Sequence, residues 1–305
     1  MKKKEVQKAK AFSLIEISFC LIVIAILAAA IFQSKNLVSN FRLNSAQSLT
    51  NSSPVNSIQG LVLWLEPTMP ESFLQNQTSD GVQITQWNDI NNQASRKYFA
   101  LATASNGITF KEISEIYLLP SIYFSGSTSS LLELSKSESS LSSTPILTPN
   151  NDFTFFVVSK LKAVSSSFAS STIFLNGNSA GWGFAIGGTA NSGKRQIKFL
   201  GVGATDNNSV SASSSTKAEI ISATYLGSSQ TTKLFTNGVL ENLTSSSGVI
   251  SNNPSNNFYI GNSSAANPWQ GYISEIIIFD RVLSDANRKL IEQYLGQKYG
   301  IATSG

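Results

Sequence analysis

Hydrophobic and polar positions change their rhythm along this 305-residue chain. From Phe12 to Phe32 the sequence FSLIEISFCLIVIAILAAAIF is apolar but for one charge, Glu16. That length approaches the ~20 residues a helix needs to cross a bilayer. The first proline is Pro54 and the first glycine Gly60, so the helix is predicted to continue to about Leu49, roughly 58 Å at 1.5 Å per residue. Beyond Gly60, short β-branched and aromatic runs alternate with turn residues, among them LVLWL (61–65), FTFFVVSKL (153–161), AEIISATYL (218–226), NFYIG (257–261) and YISEIIIFD (272–280). In the last of these, alternation assigns Tyr272, Ser274, Ile276, Ile278 and Asp280 to one face and Ile273, Glu275, Ile277 and Phe279 to the other. Asn-Gly pairs at 106–107, 176–177 and 237–238 predict hairpins, because type I′ turns need positive φ. The pattern as a whole predicts an antiparallel all-β sandwich.

A final helix is predicted over 285–299, capped by Ser284 and closed at Gly300. Leu290, Ile291, Tyr294 and Leu295 form its apolar stripe. The predicted organisation is therefore a leader over 1–11, a helix over 12–50, a linker over 51–59 and a sandwich with its C-terminal helix over 60–305. Serine-rich stretches at 125–144, 163–171 and 207–216 read as exposed loops. No repeat of 20 to 50 residues is visible, which disfavours a propeller or solenoid.

Charge changes the picture little. The formal net charge is +4, and the leader alone carries Lys2, Lys3, Lys4, Lys8 and Lys10 against Glu5. Everything after residue 11 is formally neutral, so no nucleic-acid partner is implied. The single cysteine, Cys20, excludes an intramolecular disulfide, and the absence of histidine removes imidazole bases and the usual zinc sites.

Glu16 separates three readings of the N-terminus. A signal peptide cut near Ala28-Ala29-Ala30 and a plain membrane anchor both leave it unexplained, since an acid inside a membrane helix costs about 2.5 to 3.5 kcal/mol. KAKA followed by FSLIEISFCLIVIAIL resembles the cleavage and assembly signature of type IV prepilins and pseudopilins. The resemblance implies cleavage between Ala11 and Phe12 by a prepilin peptidase, N-methylation of Phe12, and retention of Glu16 as the fifth mature residue. The family's usual residue before the cut is Gly, where this chain has Ala11. Glu16 would then meet the new amine of Phe12 on a neighbouring subunit and set axial register. Other pilin or pseudopilin subunits and the inner membrane are the implied partners. The basic leader stays in the cytoplasm and the body lies outside it, on a surface pilus or a periplasmic pseudopilus.

A second resemblance rests on GLVLWLEP, QWNDINNQAS, PSIYFSG, DFTFFVVSKL, KLFTNGVL, NNFYIG and GYISEIIIFDRVLSDANRKLIEQYLGQKYGI. These look like the laminin-G-like, concanavalin A-like jelly-roll domains of secreted bacterial proteins. The fold class expected is a long N-terminal transmembrane helix followed by a jelly-roll sandwich with a C-terminal helix. The superfamily includes lectins, adhesion modules and some glycoside hydrolases, so the fold leaves the function open. It implies a glycan or host-surface ligand and, with Asp89 and Asp280 as candidate ligands, Ca2+. Both aspartates also fit turn or strand-end roles. Trp182 and Trp269, in Gly, Pro and Asn contexts, are the candidate stacking platforms for a sugar, with core packing as the alternative. No catalytic residue is expected. Retaining glycosidases need two carboxylates about 5 to 5.5 Å apart, and the pairs Glu112/Glu115, Glu133/Glu138 and Glu275/Asp280 lack the spacing of two that one strand face would require.

Overall fold

A computed structural model describes residues 14–102, 107–137, 152–163, 170–176, 181–187, 194–200, 208–213, 216–241, 257–262 and 267–304. The chain divides into two compact units, residues 1–42 and 43–305.

Helix α1 spans Leu14–Asn51. No glycine or proline interrupts it, and Glu16 sits in its first turn, where a negative charge suits the positive helix end. Leu14, Ile15, Phe19, Leu21, Ile24 and Ile26 are all exposed, and at 100° per residue they cover every side of the helix. The transmembrane part of the expected fold is corrected. Among the described residues, no helix is long and apolar enough to cross a membrane. The stretch with described side chains from Leu14 to Ala29 holds 16 residues, about 24 Å at 1.5 Å per residue against a hydrocarbon core of about 30 Å.

The second unit holds sixteen described strands: β1 (Leu61–Leu65), β2 (Gln86–Asn88), β3 (Phe99–Ala102), β4 (Ile108–Lys111), β5 (Ser121–Ser125), β6 (Leu132–Ser135), β7 (Phe153–Leu161), β8 (Ser170–Asn176), β9 (Gly181–Gly187), β10 (Lys194–Leu200), β11 (Asn208–Ser213), β12 (Ala218–Leu226), β13 (Thr231–Thr236), β14 (Val239–Leu240), β15 (Phe258–Ile260) and β16 (Gln270–Phe279). They form two antiparallel sheets. The first runs β14-β13-β12-β7-β16-β5-β4, with β1 also paired to β16, and the second runs β11-β10-β9-β8-β15-β6-β3-β2. Their facing sides enclose a core that includes Phe153, Phe155, Phe174, Trp182, Ile276 and Ile278. Burying each such side chain contributes about 1.5 to 3 kcal/mol.

Helix α2 (Asp285–Tyr299) begins at Ser284, whose Oγ accepts from the Asn287 amide, and ends at Gly300 in the left-handed region. Its Ile291, Tyr294, Leu295 and Tyr299 pack with Trp64, Phe156, Ile277 and Phe279 in a second cluster on the outer side of the first sheet.

Three local expectations change. Strict alternation fails in β16, because the register shifts between Ile273 and Glu275. Ser274 is the extra residue of a bulge, so Ile273, Ile276 and Ile278 face the sandwich interior while Tyr272, Ile277 and Phe279 face outward. Asn106 lies outside the described residues, and the strands on either side of it, β3 and β4, lie in different sheets. Asn237 (φ 50°) and Gly238 (φ 82°) do turn β13 into β14. The serine-rich stretches at 125–144 and 207–216 contain strands β6 and β11. In β6 the apolar Leu132 and Leu134 outweigh their polar neighbours by facing the core.

Candidate functional site

Trp182 and Trp269 lie inside the sandwich, 1% and 0% exposed. The Trp182 ring stacks on Phe153 with centroids 3.9 Å apart and meets Phe174 edge-on at 5.6 Å. Neither indole presents a face to solvent, so neither is an exposed sugar platform. The glycine beside Trp182 marks close packing: a Cβ on Gly183 would stand 2.5 Å from the Phe174 carbonyl oxygen.

Asp89 is buried and accepts backbone hydrogen bonds from Trp64 and Asn91 at 2.9 Å and from Tyr98 at 3.3 Å. It ties β1 to the segment after β2. Burial pushes its carboxyl up to about 6, against the lowering effect of those three amides. Asp280, at the end of β16, is partly exposed and accepts from Arg281 Nε at 3.2 Å. Among the described residues no group of three or more acids is gathered for a metal. Glu16 stands exposed in the first turn of α1, while Ala11 and Phe12 fall outside the described residues.

Of the acidic pairs, Glu138 lies outside the described residues. Glu115 is exposed and binds Lys160 at 2.8 Å, which holds its carboxyl below the usual range. Glu275 joins a different group. Lys298 Nζ reaches Glu66 Oε1 at 2.5 Å, Thr50 Oγ1 at 2.8 Å and Glu275 Oε2 at 2.9 Å. Trp64 Nε1 donates to Glu275 Oε1 at 2.7 Å and Tyr299 Oη to Oε2 at 2.9 Å. Burial raises the Glu275 carboxyl, with Lys298 opposing. Fully enclosed, this network fastens α2 and the end of α1 to β16, and no substrate reaches it.

The polar group best placed for a ligand is on the outward side of the second sheet. Residues paired directly across strands share a face. Gln86 pairs with Leu101, Leu101 with Glu133, Glu133 with Tyr259, and Tyr259 with Leu175. Their chain neighbours Trp87, Ala100, Leu132, Leu134, Phe258 and Phe174 all belong to the interior cluster, so this row points the other way. Glu133 is 7% exposed, Tyr259 9% and Gln86 8%, which makes the row recessed. Asn257 Nδ2 donates to Glu133 Oε1, and Asn257 Oδ1 is buried with no partner. Burial raises the Glu133 carboxyl, with the Asn257 bond opposing. It also raises the Tyr259 phenol, helped by the Glu133 charge. A carboxylate, an amide with a spare acceptor and a phenol on an aromatic ring are suited to hydroxyls and to an apolar ring face. The sequence pattern places Tyr259 in a strand, but only the register of β6 with β15 brings Glu133 beside it.

A separate cleft of about 500 Å³ adjoins β4, lined by Leu43, Pro67, Met69, Phe73, Phe110 and Glu112 among others. Its walls are mainly apolar.

Two antiparallel sheets with a core between them define a jelly-roll sandwich. Residues 135–287, half of the chain, match the family described as Concanavalin A-like lectin/glucanases superfamily, and the chain belongs to that family. The N-terminal helix lies outside the matched residues. No curated protein matches the chain. Among solved structures, domain 4 of AbnA, an extracellular GH43 arabinanase from Geobacillus stearothermophilus in complex with arabinotriose, is similar with a TM-score of 0.52 and 12% identity, covering 76% of this chain and 97% of that one. Botulinum neurotoxin type C, which interacts with two ganglioside molecules, gives 0.52 and 14%, covering 80% and 53%. Trypanosoma rangeli sialidase gives 0.47 and 13%, covering 81% of this chain and 34% of the sialidase chain, so the chain spans about a third of that length. At these identities the likenesses are of fold alone.

Proposed function

We propose that the chain is a minor pilin-like or pseudopilin-like filament subunit that displays a lectin-like domain for glycan binding, with its body outside the cytoplasm. The observation that carries the binding role is the recess formed by Glu133, Asn257 and Tyr259, where a buried amide oxygen stands without a partner. An unsatisfied buried acceptor costs about 1 to 3 kcal/mol, and a sugar hydroxyl would supply the missing donor. Two proteins of this fold support the reading by what they bind, arabinotriose in one and gangliosides in the other.

The filament role is supported by the apolar residues exposed on every side of α1, which helices of other copies would cover. Prepilin peptidase, cutting between Ala11 and Phe12, and other pilin or pseudopilin subunits are the partners this role requires. A second reading, a filament subunit without a ligand, is favoured by the burial of Trp182 and Trp269, which leaves neither indole free to stack on a sugar.

The test is a glycan-array screen of the full chain in mild detergent, with calcium and with chelator, beside an immunoblot of sheared surface filaments. Glycan binding that Tyr259→Ala abolishes, together with protein in the sheared fraction, supports the proposal. A folded chain that binds nothing and is still sheared off with filaments favours the second reading. Absence from the filament fraction sinks the filament role.

A further inference from the structure

We infer that the recess on the second sheet selects uncharged sugar residues and rejects sialylated or sulfated ones, with Glu133 as the residue that sets this specificity. The inference rests on the glycan-binding reading and names the substrate class of that site.

Glu133 is the charged member of the paired row Gln86, Leu101, Glu133, Tyr259 and Leu175. Its side-chain partner is a neutral amide, Asn257 Nδ2. Lys136, three residues along, holds its Nζ over the Tyr98 ring, 5.2 Å from the centroid, and burial and the Asn257 bond are what act on the Glu133 carboxyl. Among the described residues no cation pairs with Glu133, so the recess offers a carboxylate without a counter-charge there.

Such a site treats two classes of sugar differently. Hydroxyl groups donate to Glu133 and to Asn257 Oδ1, and charge-assisted bonds of this kind are about twice as strong as neutral ones. A ligand carboxylate or sulfate has no proton to donate at neutral pH and would stand beside a like charge withdrawn from water. With an effective dielectric of about 20 at a separation near 5 Å, the repulsion corresponds to roughly 200-fold in affinity. Negative selection of this kind comes from the repulsive element as much as from the attractive one.

The experiment uses the full chain in mild detergent on an array printed with matched neutral, 3′-sialylated and 3′-sulfated oligosaccharides, in the presence of chelator so that no divalent cation bridges the charges. The pair with the strongest neutral binding is then titrated in solution against wild type and Glu133→Gln. The expected result is neutral binding with the anionic partners weaker by at least about 30-fold, and a gap that Glu133→Gln narrows to about 3-fold. Anionic and neutral partners binding wild type alike, or a gap that Glu133→Gln leaves unchanged in a chain of unaltered melting temperature, overturns the assignment while leaving glycan binding intact. No binding to any member overturns the glycan reading itself and this inference with it.

Discussion

Lys298 Nζ and Glu275 Oε2 lie 2.9 Å apart with both side chains withdrawn from water. Glu66 shares the same ammonium, so one cation is set against two carboxylates. Breaking a buried ion pair by removing one partner leaves uncompensated charge and costs about 3 to 5 kcal/mol. Lys298→Met is therefore expected to lower unfolding stability by about that amount at pH 7, and by less at lower pH, where the raised carboxyl of Glu275 protonates more readily. Urea denaturation at pH 7 and at lower pH checks it, and a loss under about 1 kcal/mol at pH 7 counts against the network as the fastening of α2.

Asp89 gives a second pH dependence. Its carboxyl lies at about 6 in the folded chain against 3.8 for an ordinary aspartate. Because the folded value is the higher, the contribution is fully present below about pH 4 and is lost as pH rises through about 6. Roughly two units correspond to about 3 kcal/mol. Stability is expected to fall over that window, and Asp89→Asn to flatten the fall, leaving the part that Glu275 contributes in the same direction. Equal slopes for wild type and variant would show that Asp89 titrates normally.

The two tryptophans first suggested as sugar platforms predict stability effects instead. Trp182→Ala removes a fully packed ring and is expected to cost about 3 to 5 kcal/mol. Trp269 Nε1 has no hydrogen-bond partner, so Trp269→Phe is expected to cost under about 1.5 kcal/mol. Thermal melts of the two variants decide this, and a Trp182→Ala melt close to wild type would put its ring outside the core.

Gly271 stands at φ 152° in β16, and a Cβ there would lie 2.2 Å from the Lys160 carbonyl oxygen. Since β16 pairs with both β5 and β7 at this point, the backbone has little room to yield. Gly271→Ala is expected to destabilise by about 1 to 3 kcal/mol; an unchanged denaturation midpoint would contradict that packing.

The sequence made the large strands visible because FTFFVVSKL, AEIISATYL and YISEIIIFD are rich in β-branched and aromatic residues, and these became β7, β12 and β16. It hid β6, where serines flank Leu132 and Leu134, and it hid the bulge at Ser274, which no composition signals. Trp182 looked like a loop residue because glycines surround it, yet Gly183 is there to let β9 approach the Phe174 carbonyl. The candidate site was less legible still. Glu133 and Tyr259 are more than a hundred positions apart, and only the register of β6 with β15 brings them opposite one another. Lys298 and Glu66 stayed hidden for the same reason.

The most direct test of the account is isothermal titration of the full chain, wild type and Tyr259→Ala, with the strongest neutral glycan from the array. Removing the ring from the recess is predicted to weaken binding by at least about tenfold in a chain that still folds, at a melting temperature lowered by loss of a largely buried ring. Equal affinity in the two chains, with both folded, would contradict the placement of the ligand on the Glu133–Tyr259 row.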